Sequence, residues 1–320
     1  MKGWAYKPDM PLGVSPVWSW PPRPVAALRW FWDGWFFITV KLAVLGIAVL
    51  AWAFATPSLE TTATFTPDWV AAIMLRNLIT LLGVAGPLHL YFYRWQSQGD
   101  TLQYDARPMG RGRVFTLGSQ VKDNMFWSCT SGVIVWSLYE ALMLWAIANG
   151  HIALMTFEAN PIWFLAIFFL IPIWESFYFY WVHRWLHWPP LYKLAHALHH
   201  RNTNVGPWSG LSMHPIEHVI YLGSVLIHFA LPTHPLHVVF HLFYYTLTAV
   251  TTHTGFEGLF VRNKNRLSLG TFHHQMHHRY FECNYGSLEL PWDRWFGSWH
   301  DGTPEAHEIM KERRKRMHGK

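Results

Sequence analysis

Residues 162–200 read IWFLAIFFLIPIWESFYFYWVHRWLHWPPLYKLAHALHH, an apolar stretch that runs directly into closely spaced histidines. A helix that crosses a bilayer needs about 20 mostly apolar residues, and residues 162–182 meet that requirement. Three earlier stretches meet it as well, at residues 30–55, 69–93 and 125–148. The sequence therefore predicts an all-α integral membrane protein with about four transmembrane helices. A soluble protein with four buried core helices is the alternative.

Loop charges predict the orientation of these spans. Lysine and arginine occur before the first span and between the second and third, whereas residues 56–68 and 149–161 contain neither. By the positive-inside rule, the N-terminus and everything after residue 182 then lie in the cytoplasm. The predicted regions are a cytoplasmic lead-in at 1–29, a transmembrane region at 30–182, a histidine-rich cytoplasmic-face cap at 183–300 and a basic tail at 301–320.

The composition supports a membrane protein and excludes several other classes. Of the 320 residues, 51% are hydrophobic and 14% are charged, whereas soluble domains have about 25% charged residues. Two separated cysteines argue against a disulfide scaffold. The formal net charge is +6, and six of the basic residues lie in the last ten positions. We interpret this tail as a membrane-surface or solvated segment without a nucleic-acid partner. Residues 219–250 are apolar but interrupted by Pro232 and Pro235, which predicts a broken, re-entrant segment.

Sixteen of the 21 histidines lie between His183 and His278. They form the motifs HRWLH at 183–187, HALHH at 196–200, HPIEH at 214–218 and HHQMHH at 273–278, with an isolated His253. Histidines three or four residues apart share one helix face, so each such pair can converge on one metal ion. Adjacent histidines diverge by about 100° around a helix, so one helix can serve two neighbouring metals.

This spacing predicts a dinuclear site rich in imidazole nitrogen. The predicted ligands are His183, His187, His196, His199, His200, His214, His253, His274, His277 and His278. His218 and His273 are further candidates. Three carboxylates are candidates for orienting the ligand rings: Glu175, Glu217 and Asp293. The other histidines of the broken apolar segment are interpreted as interfacial or structural: His228, His234, His237 and His241.

Ligand type alone leaves the metal open, because neutral imidazole suits zinc, copper, iron and nickel. A zinc hydrolase of lipid amides or esters is one alternative, although such a site uses about three protein ligands. A metal transporter or binding protein is another, although transporters place their ligands near the middle of the bilayer.

The motif order resembles that of the integral-membrane fatty acid hydroxylase superfamily, and within it most resembles the sterol C-5 desaturases. HRWLH followed by LYKLAHALHH, and HHQMHH followed by NYGSLELPWDRWFG, carry the resemblance over about residues 175–299. It implies two non-haem iron ions held by these histidines and O2 as the oxidant. It also implies two electrons from an external reductase chain with a ferredoxin- or cytochrome-type donor.

The expected activity is hydroxylation or desaturation of a lipid C–H bond, and the sequence does not choose between the two reactions. The substrate could be a sterol, a fatty acyl chain or an aminolipid. The final residues MHGK resemble no retention signal, so we expect a bacterial inner membrane slightly more than the endoplasmic reticulum.

Overall fold

A computed structural model of the chain describes residues 3–35 and 40–318, and these residues are mostly helical. A short 3-10 helix at Pro16–Trp18 lies in the lead-in to the membrane region, ahead of the first α-helix. The first half of the chain forms α1 (Pro24–Arg29), α2 (Val40–Ala55), α3 (Leu59–Thr62), α4 (Pro67–His89), α5 (Gln120–Trp127), α6 (Val133–Ala148) and α7 (Pro161–Leu186). Single π-helical turns adjoin α1, α4 and α6 at Trp30–Trp35, Leu90–Arg94 and Ser128–Gly132.

Three helical segments of the described chain are long and apolar enough to cross a membrane: Pro67–Arg94, Gln120–Ala148 and Pro161–Leu186. They correspond to the second, third and fourth predicted spans. The first predicted span contains α2, whose 16 residues are fewer than the roughly 20 that a perpendicular crossing needs. Residues 36–39 of that span lie outside the described residues, so the count of four spans stays a prediction.

Proline and asparagine fix where the fourth span begins. Pro161 occupies the first helical position of α7, where its missing N–H removes no hydrogen bond. The Asn160 side chain accepts a hydrogen bond from the Trp163 amide at 3.0 Å and caps the helix. The helix then continues for 26 residues, so its last turn carries the first histidine motif.

Buried charges inside the apolar bundle are paired. Arg76 of α4 donates to Glu140 of α6, and Asn77 donates to the same carboxylate at 3.2 Å. Lys41 of α2 forms an ion pair with Glu289 at 2.7 Å. Because an unpaired charge in hydrocarbon is costly, these pairs explain how the helices tolerate ionisable residues.

The second half of the chain forms the cap and a central buried helix. Its helices are α8 (Pro189–Leu191), α9 (Ala197–His200), α10 (Pro215–Leu222), α11 (Pro235–Thr252), α12 (Phe272–Tyr280), α13 (Trp292–Trp295) and α14 (Pro304–His318). The broken apolar segment is therefore α10, a 3-10 turn at Gly223–Phe229, and α11 after the predicted proline break. Nearly all side chains of α11 are buried, and it packs against α2, α6 and α7.

A small β-hairpin corrects the all-α expectation. Strands β1 (Gly258–Val261) and β2 (Lys264–Ser268) pair antiparallel, with Val261 opposite Lys264. Arg262 and Asn263 connect them with positive φ angles of 51° and 58°, the conformation of a tight two-residue hairpin turn.

The N-terminal lead-in contacts the loop after the second span, the cap and the start of the tail. The Ala5 amide donates to the Tyr104 carbonyl at 2.9 Å, and the Leu12 amide donates to the Asp301 carbonyl at 2.8 Å. The Arg279 guanidinium of α12 lies 4.1 Å from the centroid of the Trp4 ring. The lead-in and the histidine-bearing helix α12 therefore lie on the same side of the bundle.

Candidate metal centre

Nine buried histidines converge in two adjacent groups. Cluster A contains His183, His187, His196, His200 and His277, and cluster B contains His199, His253, His274 and His278. Within each cluster, one nitrogen atom from every ring lies within 4.8 Å of the others. The rings of His200 and His278, one from each cluster, are 4.9 Å apart between centroids. The structure thus brings together nine of the ten predicted ligands.

The two HxxHH motifs divide between the clusters in reciprocal fashion. His196 and His200 enter cluster A while His199 enters cluster B; in the second motif, His274 and His278 enter cluster B while His277 enters cluster A. The first and last histidines of each motif share a helix face, and the middle one points to a neighbouring face. Each motif therefore links both clusters.

Local structure places each motif. His183 lies in the last turn of α7 and His187 caps its C-terminus. His196 ends the π-helical turn Tyr192–His196 that precedes α9, and π turns often occur at functional sites. Thr271 caps the N-terminus of α12 by accepting from the His274 amide at 3.3 Å.

Hydrogen bonds orient several of the rings. The Nδ1 atoms of His183, His277 and His253 each lie 2.7 Å from a backbone carbonyl oxygen, of Tyr285, Cys283 and Ala249 respectively. A carbonyl oxygen only accepts, so each Nδ1 must carry the proton and donate it. In the neutral ring this leaves Nε2 with a free lone pair. The Nε2 atoms of His253 and His277 each face another ring of their own cluster.

The inward nitrogens fit a bound metal ion. The Nε2 atoms of His253 and His274 are 3.0 Å apart, and so are the Nε2 atoms of His277 and His200. The rings of His253 and His277 carry their proton on Nδ1, so neither can donate a hydrogen bond from Nε2 at these short distances. His196 Nε2 is buried without a hydrogen-bond partner in the described part of the chain. Converging lone pairs in a dry site are costly unless a cation satisfies them, and imidazole donors suit a first-row transition metal.

Burial also keeps the rings neutral, as metal ligation requires. Loss of solvent lowers the pKa of His196 to about 3 and that of His199 to about 4. Burial, followed by the neighbouring imidazoles, lowers the pKa of His278 in the same direction. At neutral pH each of these rings therefore keeps a single N–H and presents one nitrogen lone pair to a metal ion.

The three predicted carboxylates take different positions. Glu217 accepts from His196 Nδ1 at 2.7 Å, as expected of a group that orients a ligand. Asp293 contacts no ring of the two clusters directly but accepts hydrogen bonds from the Tyr285 and Gly286 amides at 2.8 Å. It thereby holds in place the Tyr285 carbonyl, which accepts the hydrogen bond from His183 Nδ1. Glu175 contacts Ser224 and His241, away from the clusters.

Three predicted histidines lie outside both clusters. His214 caps α10, and its Nδ1 accepts from the Ile216 amide at 3.2 Å. His218 Nε2 donates to the Leu211 carbonyl at 3.0 Å. His273 lies 3.5 Å from Asp293. The carbonyl acceptors of Tyr285, Cys283 and Ala249 were not predicted, because no side-chain pattern marks them.

A cavity of about 370 Å³ opens beside the clusters. Histidines of both clusters contribute to its wall, and so does one face of α7 from Glu175 through Phe179 to His183. Much of the remaining wall is apolar or aromatic, as at Leu186, Met213 and Tyr245. This space can hold an apolar molecule against the clusters.

Comparisons with known proteins agree with this geometry. The fatty acid hydroxylase family profile matches residues 167–298. The Delta(7)-sterol 5(6)-desaturase of Eremothecium gossypii is 35% identical over 143 residues, which are 45% of this chain and 39% of that protein. The corresponding enzyme of Saccharomyces cerevisiae is 36% identical over 120 residues, 38% of this chain and 32% of that protein. The C-4 methylsterol oxidase of Schizosaccharomyces pombe is 33% identical over 140 residues, 41% of this chain and 45% of that protein.

Residues 167–298, which match the fatty acid hydroxylase profile, hold both histidine clusters. Together with the similarity to sterol desaturases, this match confirms the resemblance drawn from the motifs. The chain spans less than half the length of these three relatives. All three come from fungi, so they give no support to the expected preference for a bacterial inner membrane. No solved structure gives a significant match.

Proposed function

We propose that this protein is a membrane-bound oxygenase that uses two non-haem iron ions to hydroxylate or desaturate a C–H bond of a lipid. O2 is the oxidant, and two electrons come from an external ferredoxin- or cytochrome-type donor. The observation that carries the proposal is the pair of adjacent all-histidine clusters on the wall of a largely apolar cavity. Sequence similarity to sterol-oxidising enzymes supports it.

Clusters A and B are the proposed binding sites for the two ions. Bound iron would supply the O2-dependent redox chemistry that removes hydrogen from an unactivated C–H bond, which no amino-acid side chain can do. Nine imidazoles are more than a single zinc hydrolase site uses, and this number favours two metal ions.

The protein's own residues hold and orient the site. Glu217 and the Tyr285, Cys283 and Ala249 carbonyls fix the ring tautomers of their partner histidines. Apolar side chains around the clusters exclude water, which protects reactive chemistry from side reactions. The cavity wall positions one part of a lipid chain against the rings of His183, His199 and His274.

The packing of the lead-in supports four crossings with the site on the cytoplasmic side. The lead-in and the cap share one side of the bundle, so an even number of crossings must lie between them. The three long apolar helices of the described chain account for three crossings of the membrane, which is an odd number. Helix α2 is the proposed fourth crossing. The arginine- and lysine-bearing loops then face the cytoplasm, where a soluble or membrane-bound electron donor has access.

Lipid profiling tests the proposed reaction. Cells that express the chain are expected to accumulate a lipid with one added oxygen atom, or with two hydrogen atoms removed, compared with cells that lack it. In isotopically heavy O2, the added oxygen of a hydroxylated product should carry the heavy isotope, because the oxygen comes from O2. Label incorporation from heavy water in place of O2, or hydrolysis of a lipid amide, would contradict the proposal.

A further inference from the structure

A basic helix packs against the cap next to cluster A. The basic end of α14, residues 311–317, reads KERRKRM and carries five positive charges and one negative charge. Lys311 pairs with Glu308 at 2.8 Å. Three further exposed cations form no ion pair with a residue that the structure describes: Arg314, Lys315 and Arg316. The basic end of α14 therefore presents an uncompensated positive surface.

Two side chains hold this helix on the cap. Met310 is 3% exposed, so it is buried where the helix meets the rest of the protein. Arg313 donates to the Glu282 carbonyl at 2.9 Å and also to the Gly297 carbonyl. The helix is therefore fixed in position, and its exposed cations belong to the surface beside the cap.

The intervening segment, residues 281–285, separates α14 from cluster A. Arg313 contacts the Glu282 carbonyl. The next carbonyl along the chain, that of Cys283, accepts from His277 Nδ1 at 2.7 Å. Two hydrogen bonds and the backbone of one residue therefore join the basic helix to a ring of cluster A.

Aromatic rings lie in the same short gap. The rings of Phe281 and Tyr192 have their centroids 4.9 Å and 5.8 Å from that of His200, a member of cluster A. Burial, followed by the Glu282 side chain, raises the pKa of Tyr192 to about 12, and the charge of Arg314 opposes that shift. Arg314 therefore lies close to a ring that itself contacts cluster A.

Two simpler roles do not account for the whole basic end of α14. Cations in the last turn of a helix favour its dipole, but the run begins at Lys311, before that turn. A helix that lies on a membrane surface presents a broad apolar face. The exposed large apolar side chains of the described α14 are Ile309 and Met317, which lie two turns apart and form no continuous face.

We propose that the basic end of α14 is the docking surface for an acidic one-electron carrier protein, whose electrons reach the metal centre at cluster A across the intervening segment. This inference rests on the proposed function, because such an oxygenase needs an external reductant. Each docked carrier is oxidised by one electron. Two dockings therefore supply the two electrons that one O2 consumes, together with two protons from water, for each hydroxylation or desaturation.

Charge complementarity favours this occupant. Complexes of electron-transfer proteins are small and transient, and opposite charges steer the partners together and fix their orientation. A surface of exposed cations on a fixed helix, one short segment away from a metal centre that must be reduced, meets both requirements.

Binding of purified carriers tests the surface. The full chain in neutral phosphatidylcholine nanodiscs is titrated with two acidic probes, a plant-type iron–sulfur ferredoxin and the haem domain of a microsomal b-type cytochrome. Cytochrome c, which is basic, is the control probe. At low ionic strength at least one acidic carrier should bind, whereas cytochrome c should not. Added salt should weaken the binding, because it screens exposed charges.

A charge-reversed variant locates the binding site. Arg314→Glu combined with Lys315→Glu should raise the dissociation constant of the acidic carrier about tenfold, since two exposed attractions become repulsions. The matched control is Lys264→Glu combined with Arg266→Glu, which reverses an exposed lysine and arginine of β2. It changes the net charge equally and should bind the carrier as wild type does.

Reduction kinetics provide a second measurement. With prereduced carrier, the α14 variant should need about tenfold more carrier to reach half of its maximal reduction rate. The maximal rate should be unchanged, because the variant alters docking and leaves the intervening segment intact. Dithionite is a small reductant that needs no docking surface, and it should reduce variant and wild type equally fast.

The proposal is overturned if neither acidic carrier binds, or if the α14 variant binds the carrier as tightly as wild type. Trypsin cleavage at the lysines and arginines of α14 tests the membrane as the rival occupant. A docked carrier should slow this cleavage in neutral nanodiscs. Protection by phosphatidylglycerol nanodiscs, with none by the carrier, would assign the helix to the membrane surface and overturn the proposal.

Failure of the proposed function gives a different result. A wild-type chain that oxidises a lipid with O2 after anaerobic reduction by dithionite, yet binds no acidic carrier, would remove the docking surface and leave the oxygenase. Carrier binding that depends on α14, in a chain that contains no iron, would leave the docking surface and remove the oxygenase.

Discussion

Replacing His277 with alanine should lower turnover at least a hundredfold and reduce the metal content from two ions per chain to about one. His277 belongs to cluster A, whereas its motif partners His274 and His278 belong to cluster B. Loss of a group that merely orients a ligand already costs about ten- to a hundredfold, so loss of a ligand itself should cost more. Cluster B keeps all four of its histidines and should retain its ion.

The matched control for this variant is His214→Ala. His214 was predicted as a ligand from the sequence, but it lies outside both clusters and caps α10. The same chemical change at this position should leave two ions per chain, with a modest loss of stability from the missing cap. Turnover within about twofold of wild type in His277→Ala would remove that residue from the metal centre.

Removing the metal should make the protein sensitive to mild acid. Burial lowers the folded-state pKa of His196 to about 3 and that of His199 to about 4, whereas an unfolded histidine titrates near 6.5. Below that pH the unfolded state binds more protons, so the free energy of unfolding falls as the pH decreases. For His196 alone, the decrease between pH 7.5 and pH 5 is about 2 kcal/mol.

Thermal denaturation in detergent measures this effect. The midpoint of the chelator-treated protein should fall by about 10 °C or more between pH 7.5 and pH 5, because several buried rings contribute. Burial raises the pKa of Glu217 to about 7, so protonation of this one carboxylate offsets only part of the decrease. The iron-loaded protein is the control and should show a smaller decrease, since a bound ion occupies the atoms that would accept protons. If the midpoint of the metal-free protein stays constant over this pH range, the claim that the histidines of the clusters are buried and neutral is contradicted.

Much of the candidate site follows from helix geometry and could be predicted. Spacings of three and four residues identified the paired histidines, and the divergence of His199 from His200 predicted that one helix would serve two sites. His214 was predicted as a metal ligand but lies outside both clusters, because Pro215 follows it. Proline favours the first position of a helix, so His214 becomes the N-terminal cap of α10. Its ring nitrogen Nδ1 then accepts a hydrogen bond from the Ile216 backbone amide.

Features of the site and the fold that depend on tertiary packing have no sequence pattern comparable to the histidine spacing. The carbonyl groups that orient His183, His253 and His277 belong to the backbone, so any residue type could supply them. The hairpin turn at Arg262–Asn263 lacks glycine, and no hairpin was predicted there. His241 was interpreted as interfacial or structural because its segment is apolar, and only the packing of α11 against α7 reveals its contact with Glu175.

The metal content of the purified, active protein tests the central claim most directly. Inductively coupled plasma mass spectrometry should find two iron atoms per chain, one for each histidine cluster, and removal of the iron should abolish lipid oxidation. One zinc atom per chain and no iron, in a protein that still turns over a lipid amide or ester, would contradict the proposed di-iron oxygenase.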